Sequence, residues 1–403
     1  MDKLHNLLKK KSRLVVGLMS GTSADGIDAC LVEIHNTNPK DPAPRGKNLK
    51  VKPIGYRTYK FPQEVQQKII QVSDPSYQNL DEVLRLNMAL GEYFAQAVFS
   101  LVKDLGQKMD KIDLIGSHGQ TVRHLPDFEK RFGQKVRATL QIGELAVIAS
   151  KTGRVTVGDF RTGDIALGGQ GAPLTPYVHF LLFGDKRISR MVVNVGGIAN
   201  VTVLPKAGKQ NDIFAFDSGP GNMIVDNLTK KLYKKNFDPD GKIASSGKVN
   251  FDLLNKLKED EYFYKKPPKS CGRENFGEEF VSNILNRAKK LRMKSEDIIT
   301  TASELSVWSI LDAYEKFVKP KIKLNQVLLS GGGVHNKYFL KRLKFLFHPI
   351  KVMSTQELGQ DPDFLEAISF AILANQTIEG EPVSFKMTTG ANKPGILGKI
   401  CLP

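Results

Sequence analysis

The stretch LVVGLMSGTSADGIDACLVE, residues 14–33, decides the fold of this chain. An apolar β-branched run leads into a cluster of Gly, Ser, Thr and Asp residues, and a second apolar run follows. This order predicts a hairpin of two strands joined by a turn. Small residues at the bend let backbone N–H groups approach a ligand, and the turn adds hydroxyls and the carboxylates of Asp25 and Asp28. Such groups can hold nucleotide phosphates and a Mg²⁺ ion.

The spacing of this turn matches neither of two common nucleotide-binding motifs. It contains no Gly-Lys-Ser/Thr sequence, and no helical pattern follows it at once, so it is neither a Walker P-loop nor a Rossmann fingerprint. On these residues alone, an ordinary Gly-rich hairpin is an equally good interpretation.

Length and composition indicate a soluble globular protein of about two domains. The 403 residues exceed one ordinary core, and a mean hydropathy of −0.26 is typical of a soluble chain. The sequence contains no uninterrupted apolar run of the ~18 residues that a membrane span needs. Residues 1–13 are Lys-rich, but the apolar stretch of a secretory signal does not follow them. Three cysteines, far apart and odd in number, favour a reducing compartment, so we expect a cytoplasmic protein without a membrane partner.

The chain is strongly basic, with a net charge of +17. Its lysines lie in short clusters spread along the sequence, and no recognisable nucleic-acid-binding module accompanies them. We therefore expect no nucleic-acid partner, and we interpret the charge as a solvated surface that attracts anionic small molecules.

The first half continues with an α/β pattern. The Pro- and Asn-rich segment Asn36–Asn48 predicts an exposed loop, and helical spacing of apolar residues over 62–105 predicts two helices. A short buried strand at Leu114–Gly116 then precedes the polar run Ser117–His124. Polar residues just beyond a buried strand are where ligands usually meet an α/β sheet.

The densest polar stretch is GDFRTGDIALGGQGAP, residues 158–173, between a predicted strand and a predicted helix. Asp159, Arg161 and Asp164 suit a site that binds an anion and activates water or a hydroxyl. Helix N-caps and surface turns also use aspartates, so a structural role for either carboxylate stays open.

A second half opens at Met191 and repeats the order of the first. Residues 191–204 again read as strand, small-residue turn and strand. Glycine turns end three of the predicted strands in this half, at Gly196–Gly197, Gly219 and Gly331–Gly333. Strand-end glycine turns shared by two halves predict a duplicated α/β fold that binds a nucleotide.

Together these motifs resemble those of the anhydro-N-acetylmuramic acid kinases. The resemblance runs in order from about residue 14 to 403 and is carried by residues 17–28, 117–124, 158–161, 164, 168–174, 194–200, 216–222 and 267–274, and by a Pro-Asp-x-x-Glu-Ala tail with Asp363 and Glu366. The chain departs from the family in its Lys-rich N-terminal extension, in the loop at Asn36–Asn48, and at Ala24, where the family usually has Leu.

The resemblance implies a fold of the actin, hexokinase and Hsp70 type. Two ribonuclease H-like α/β domains, residues 1–190 and 191–403, would each surround a mixed five-stranded sheet, with ATP and sugar in a cleft between them. The implied enzyme opens the 1,6-anhydro ring of 1,6-anhydro-N-acetylmuramic acid with water and phosphorylates the freed 6-oxygen from ATP. The products would be ADP and N-acetylmuramic acid 6-phosphate, in peptidoglycan recycling.

Site residues follow from the same resemblance. The cofactors ATP and Mg²⁺ would contact Gly21, Thr22, Ser23, Ala24, Asp25, Gly26, Ile27, Asp28, Asn194, Gly196, Gly197, Gly219, Gly331, Gly332 and Gly333, with Asp25 ordering the metal. The amino-sugar substrate would contact His118, Gln120, Arg123, Gly171 and Glu366. The expected assembly is a homodimer.

The base needs a separate argument. Attack at the anomeric carbon requires a base oriented toward a water molecule on the face opposite the leaving oxygen, as in an inverting glycosidase. We predict Asp164 as this catalytic base and Asp159 as an anchor of the loop. Glu366 either holds a sugar hydroxyl or lies with the core positions of its helix. Arg123 is a natural bidentate partner for the lactyl carboxylate, although it and its neighbouring histidines could instead shape the loop.

Two other functions fit the pattern less well. One is an actin-like or chaperone-like nucleotide switch that hydrolyses ATP slowly, and the other is a different sugar or carboxylate kinase on the same fold. The ordered loop over residues 159–173 favours an enzyme, because a switch has no reason to carry it.

Overall fold

The computed structural model describes residues 2–21, 23–36 and 49–403. The loop predicted at Asn36–Asn48 therefore falls almost wholly outside the described residues. The chain divides into two compact units, of which the first comprises residues 1–182 and 364–403 and the second comprises residues 183–363.

The helices and strands alternate along the chain. The first part contains α1 (Asp2–Leu8), β1 (Ser12–Ser20), β2 (Gly26–Asn36), β3 (Leu49–Lys60), α2 (Gln63–Val72), α3 (Leu80–Asp104), β4 (Leu114–Arg131), β5 (Gln134–Ile142), α4 (Leu145–Thr152), β6 (Val155–Gly158), α5 (Phe160–Ala166) and α6 (Pro176–Phe183). The middle part contains β7 (Arg190–Val195), β8 (Ile198–Leu204), β9 (Phe214–Pro220), α7 (Met223–Tyr233), α8 (Lys242–Ser246), α9 (Phe251–Lys258), α10 (Arg273–Phe276), α11 (Glu278–Lys290), α12 (Ser295–Ala313), β10 (Gln326–Ser330), α13 (Lys337–Leu346) and β11 (Lys351–Ser354). The last part contains α14 (Leu365–Glu379), α15 (Lys386–Thr389) and β12 (Lys399–Cys401).

Both units are built on the same sheet topology. In the first, β3, β2 and β1 pair antiparallel, and β1, β4 and β6 follow in parallel. In the second, β9, β8 and β7 pair antiparallel, and β7, β10 and β11 follow in parallel. This repeated order is that of a ribonuclease H-like domain. The predicted duplicated α/β fold is confirmed.

The sheet of the first unit differs from the prediction in size. Among the described residues, the second sheet has the five expected strands, whereas the first has seven, because β5 pairs with β4 and β12 pairs with the edge strand β6. The polar run Ser117–His124 was expected beyond a strand that ends at Gly116. It lies within β4 instead, which continues through it as one arm of a hairpin with β5.

The predicted second domain, residues 191–403, is too long at its C-terminal end. Residues 364–403 belong to the first unit, because α14 packs directly on β1 and β4. A Cβ atom at Gly17 would lie 2.0 Å from the carbonyl oxygen of Ala367, and one at Gly116 would lie 2.2 Å from that of Phe370. The two glycines therefore bring the helix backbone onto the sheet. The helix is apolar on nearly all sides, as expected for a helix buried all round.

The opposite face of the first sheet carries α3. Its N-terminus is capped by Asn79, whose side chain accepts from the Glu82 N–H. Apolar residues at helical spacing, including Leu90, Phe94 and Val98, join the core formed with β1 and β2. The two helices predicted over residues 62–105 are thereby confirmed as α2 and α3.

We expect Gly116→Ala to destabilise the protein, because the added methyl group would overlap the α14 backbone. Overpacking of this kind costs about 1 to 3 kcal/mol, which lowers the melting temperature by roughly 2 to 12 °C. Gly55→Ala is a matched control within β3, since a Cβ there meets only the end of the Leu105 side chain, which can rotate away. Equal melting temperatures for the two variants would show that α14 has room to move.

Candidate functional site

Two buried polar side chains, Ser20 and Gln120, hold the turn between β1 and β2 through hydrogen bonds. The Ser20 hydroxyl donates to the carbonyl oxygen of Gly26 at 2.8 Å and to Gln120 Oε1 at 2.7 Å. Gln120 Nε2 in turn donates to the carbonyl oxygen of Gly21 at 3.2 Å. Gln120 is buried and its amide fixes this turn, and its contact with the sugar stays a prediction.

The polar residues of the turn itself are exposed. Ser23 Oγ donates to Asp25 Oδ1 at 2.6 Å, so the two side chains form one polar group at the tip of the turn. Asp28 lies farther along in β2, where the Thr58 hydroxyl donates to its carboxylate at 2.6 Å. Thr22 lies outside the described residues.

Packing accounts for the other predicted contacts in this segment. The Ala24 and Ile27 side chains lie in the core of the first unit, so only their backbone atoms could face a ligand. Gly26 is needed where β2 meets β3, since a Cβ there would lie 2.6 Å from the carbonyl oxygen of Tyr59.

The carboxylate of Asp25 is the candidate for ordering a magnesium ion. Within residues 2–21, 23–36 and 49–403, no three His, Cys, Asp or Glu side chains are grouped closely enough to form a metal site of their own. Mg²⁺ usually keeps several waters and takes one or two carboxylates together with substrate phosphates. A single exposed carboxylate in a turn fits that mode of binding.

Asp159 stands at the carboxyl end of β6, where ligands meet sheets of this kind. Its backbone is left-handed, with φ +53°, a conformation that Asp adopts more readily than most residues other than Gly. Its side chain is 23% exposed and accepts from the Thr162 hydroxyl and the Lys399 ammonium. The carboxylate is therefore oriented by two donors while part of it stays open.

Asp164 is placed quite differently, with no exposed surface. Its Oδ2 accepts the Gly171 N–H at 2.7 Å, and its Oδ1 accepts the hydroxyls of Thr389, at 2.6 Å, and Ser384. A general base must reach a water molecule beside the sugar, and this carboxylate is enclosed by protein. The catalytic role of Asp164 stays a prediction, whereas its structural role is visible in these bonds.

The loop Gly168–Gly171 directs its backbone groups inward. Its four N–H groups all donate to protein oxygens at 2.7 to 2.9 Å. Arg137 Nη1 donates to the carbonyl oxygens of Gly168 and Gly169, at 2.6 and 3.0 Å. The loop amides are thus not free to bind an anion. The half-buried side-chain amide of Gln170 remains, without a hydrogen-bond partner among the described residues.

His118 and Arg161 fix the end of this loop. Arg161 Nη1 donates to the carbonyl oxygen of Gly171 at 2.7 Å, and its Nε donates to His118 Nε2 at 3.0 Å. Arginine is always a donor, so His118 Nε2 must be unprotonated and Nδ1–H donates to the carbonyl oxygen of Gly119. Burial, and then the Arg161 charge, lower the pKa of His118 well below its usual value. Both Gly171 and His118, predicted as sugar ligands, serve this arrangement.

The remaining predicted sugar ligands lie near solvent. Arg123 Nη2 donates to the carbonyl oxygen of Asp74 at 2.9 Å. His124, beside it, contacts the Thr139 hydroxyl, and burial lowers its pKa to about 4. Glu366 is half-buried in the first turn of α14, next to the residue that meets Gly17.

In the second unit, the turn after β7 is joined to the start of α7. The carbonyl oxygen of Gly196 accepts the Asn222 N–H at 2.8 Å, and that of Gly197 accepts the Met223 N–H at 3.0 Å. Asn194, one of the predicted contact residues, ends the parallel part of β7 beside Ser330 of β10. The turn is therefore fixed at the edge of the sheet where ligands bind.

The glycines after β10 lie flat against the end of β7. A Cβ at Gly331, where φ is +77°, would lie 2.3 Å from Asn194 Oδ1, and one at Gly333 would lie 2.4 Å from Val195 Cγ1. A Cβ at Gly332 would meet nothing within 4 Å. The glycine run thus has a packed side and an open side, and the open side can accept a flat ring.

Gly219, the other predicted cofactor residue of this unit, is explained by packing. A Cβ there would lie 2.9 Å from the Phe263 ring and 3.0 Å from Ser309 Cβ. The residue lets β9 approach α12.

Sequence reasoning missed the side chains that hold the loop, namely Arg137, Ser384 and Thr389. No motif marks them. A buried aspartate needs hydrogen-bond donors, but the sequence does not show which distant segment supplies them.

The two units thus form a duplicated ribonuclease H-like fold with glycine turns at the ends of its strands. The family model described as anhydro-N-acetylmuramic acid kinase matches residues 13–403. A protein of that name from Caldanaerobacter subterraneus subsp. tengcongensis is 45% identical over 404 residues, covering 100% of both chains. One from Salinibacter ruber is 40% identical, again over 100% of both, and one from Clostridioides difficile is 39% identical over 96% of this chain and 97% of its own.

The chain therefore belongs to the anhydro-N-acetylmuramic acid kinase family. As a member of it, the chain is a sugar kinase of cell-wall recycling. Within the described part of the chain, no helix is long and apolar enough to cross a membrane.

We expect the protein to lose stability as the pH falls from about 6.5 toward 4. His118 and His124 have lowered pKa values in the folded state, whereas in the unfolded chain they protonate near their ordinary value of 6.5. The unfolded state binds more protons in this window, so falling pH favours unfolding. Melting curves between pH 7.5 and 4.5 measure the effect, and His124→Gln should make it shallower. A folded-state pKa above 6 for His118, measured by imidazole NMR, would contradict the assigned hydrogen bonds.

Proposed function

We propose that this chain opens the 1,6-anhydro ring of 1,6-anhydro-N-acetylmuramic acid with water and transfers the γ-phosphoryl group of ATP to the freed O6. The products are ADP and N-acetylmuramic acid 6-phosphate. The observation that carries the proposal is the full-length match to the family. The segment that begins after β6 adds support, because Asp159 and Asp164 give the chain two carboxylates with different surroundings.

We further propose Asp159, rather than Asp164, as the base. Its carboxylate is partly open at a strand end, and the Thr162 hydroxyl and the Lys399 ammonium orient it. It takes a proton from water as the water oxygen bonds to the anomeric carbon and the bond from that carbon to O6 breaks. O6 then bonds to the γ-phosphorus, and ADP leaves.

Sugar binding is assigned to side chains, since the backbone of the Gly168–Gly171 loop is already used. The Gln170 amide offers both donors and an acceptor to the hydroxyl and acetamido groups of the substrate. Arg123 suits the lactyl carboxylate, because a guanidinium pairs with a carboxylate through two parallel bonds. Glu366, half-buried at the start of α14, accepts from a sugar hydroxyl.

ATP is bound with Mg²⁺. The β1–β2 turn supplies backbone N–H groups to the phosphates, and Asp25 orders waters of the magnesium ion, whose charge offsets the negative charge of the phosphates. In the second unit, the Gly196–Gly197 turn faces phosphate, and the open side of Gly332 accepts the nucleoside.

We also propose a cytoplasmic homodimer. The three cysteines are free thiols, as expected in a reducing compartment. On α3, Leu80, Leu84 and Met88 are each more than half exposed at a spacing of four residues, and this apolar stripe supports an interface with a second copy. Sedimentation equilibrium that gives the monomer mass would refute the dimer.

Asp159→Asn tests the base. The amide keeps the size of the side chain but takes up no proton, so turnover should fall by about 10²- to 10⁴-fold with little change in ATP affinity. Asp164→Asn is the matched comparison. It should weaken sugar binding and lower the melting temperature, because it places an amide among hydroxyl and N–H donors. Near-normal turnover of Asp159→Asn would return the role to Asp164 or Glu366.

Labelled water tests the coupled chemistry. In H₂¹⁸O, the label should enter the product at the anomeric oxygen, while the oxygen that bridges C6 and phosphorus stays unlabelled. Unlabelled product incubated alone corrects for exchange through the open-chain sugar. Label in free phosphate, with the anhydro sugar returned intact, would identify an ATPase that happens to bind sugar, and sugar-independent ADP release would favour a nucleotide switch.

A further inference from the structure

We propose that the C-terminal segment, residues 380–403, positions the sugar-site loop, residues 168–171. Ser384 and Thr389 of this segment are positioning residues that act through Asp164. The proposal rests on the proposed function, because it takes residues 168–171 as the loop that holds the sugar. It assigns to the last residues of the chain a role in a site whose reacting groups lie more than 200 residues earlier.

The central contact is the buried carboxylate of Asp164. Its Oδ1 is shared by the hydroxyls of Ser384 and Thr389, and its Oδ2 accepts the Gly171 N–H at 2.7 Å. Both hydroxyl-bearing residues are about 1% exposed. Hydrogen bonds to a charged acceptor are stronger than neutral ones, so this carboxylate joins the loop to the C-terminal segment firmly.

Two backbone bonds repeat the connection. The Gln170 N–H donates to the carbonyl oxygen of Thr389 at 2.8 Å. On the other side of the loop, the Asn392 N–H donates to the carbonyl oxygen of Leu167 at 2.9 Å. The C-terminal segment therefore holds the loop at both of its ends.

The C-terminal segment is itself fixed to the rest of the first unit. The Val383 N–H donates to the carbonyl oxygen of Gly395 at 3.0 Å, which closes the segment on itself. The Thr377 hydroxyl of α14 donates to the carbonyl oxygen of Leu397 at 2.6 Å, and β12 pairs with β6. The C-terminal segment thus connects the loop to α14, which is itself fixed on the sheet.

The loop has little freedom to adjust if this support is removed. A Cβ at Gly169 would lie 2.2 Å from Asp164 Oδ2, so loop and carboxylate are in direct contact. Arg161 holds the carbonyl oxygen of Gly171 from the other side. Reactions that depend on placing a substrate against a base are sensitive to shifts of about 1 Å, which can cost about 10²-fold in rate. Loss of one supporting hydroxyl should therefore appear in sugar kinetics.

Thr389→Val is the main test, and Thr388→Val is its control. Valine keeps the shape of threonine but removes the hydroxyl. Thr388 is also buried, at 4% exposure, but its hydroxyl donates to the carbonyl oxygen of Phe385 and not to Asp164. We expect kcat/KM for the sugar to fall by about 10- to 100-fold in Thr389→Val, with KM for ATP unchanged, and to stay near wild type in Thr388→Val.

Rescue separates positioning from general destabilisation. Thr389→Ser restores the hydroxyl without the methyl group and should recover most of the sugar kcat/KM. Ser384→Ala should resemble Thr389→Val. Hydrogen–deuterium exchange on a peptide spanning residues 168–171 adds a readout independent of activity. Exchange should be faster in Ser384→Ala and Thr389→Val than in Thr388→Val. If either valine variant fails to fold, the comparison of Ser384→Ala with wild type decides the question, both by sugar kcat/KM and by loop exchange.

The inference is overturned if Ser384→Ala and Thr389→Val match Thr388→Val in sugar kcat/KM and in loop exchange. It is also overturned if Thr389→Ser is as impaired as Thr389→Val. These outcomes are distinct from failure of the proposed function, in which the wild-type protein would itself show no sugar-dependent ADP release.

Discussion

The contact of α14 with Gly17 and Gly116 is the constraint on which the first unit depends. Side chains normally separate a helix from a sheet, but here the carbonyl oxygens of Ala367 and Phe370 occupy the space that two Cβ atoms would fill. The contact places the Phe370 ring against His118, with ring centroids 4.6 Å apart. The close approach of α14 to the sheet thereby also fixes His118, which is joined through Arg161 to Gly171 at one end of the loop.

The two carboxylates that follow β6 differ in burial and in their hydrogen-bond donors. Asp159 and Asp164 are five residues apart and look alike in the sequence, but Asp159 precedes α5 whereas Asp164 lies within it. The first lies at a strand end with part of its surface open, whereas the second is enclosed and meets three donors. A buried charge is tolerated only when its hydrogen bonds are satisfied, so the enclosed carboxylate supports the loop, whereas the open one stays accessible to solvent.

Local patterns in the sequence predicted much of the fold. The strand pair around residues 14–33, the two helices that follow it and the repeat at 191–204 are each decided by residues close together in the chain, and the structure confirms them. The family motifs located the loop but not the arrangement of its atoms. The return of α14 to the first sheet and the two hydroxyl donors to Asp164 arise from residues more than 200 positions apart. Spacing along the chain carries no information about such contacts.

The first unit is discontinuous, and this has a consequence for synthesis on the ribosome. Residues 1–182 emerge first, but the helix that covers their sheet and the hydroxyls that meet Asp164 emerge only with residues 364–403. The second unit, residues 183–363, is continuous in sequence, so its synthesis is complete before that of the first unit. Domains generally fold as units as the chain is made, so here the unit that begins the chain is the last to finish. A polypeptide released early, without its final forty residues, would therefore have an intact second unit, but its Gly168–Gly171 loop would lack the hydroxyls that meet Asp164.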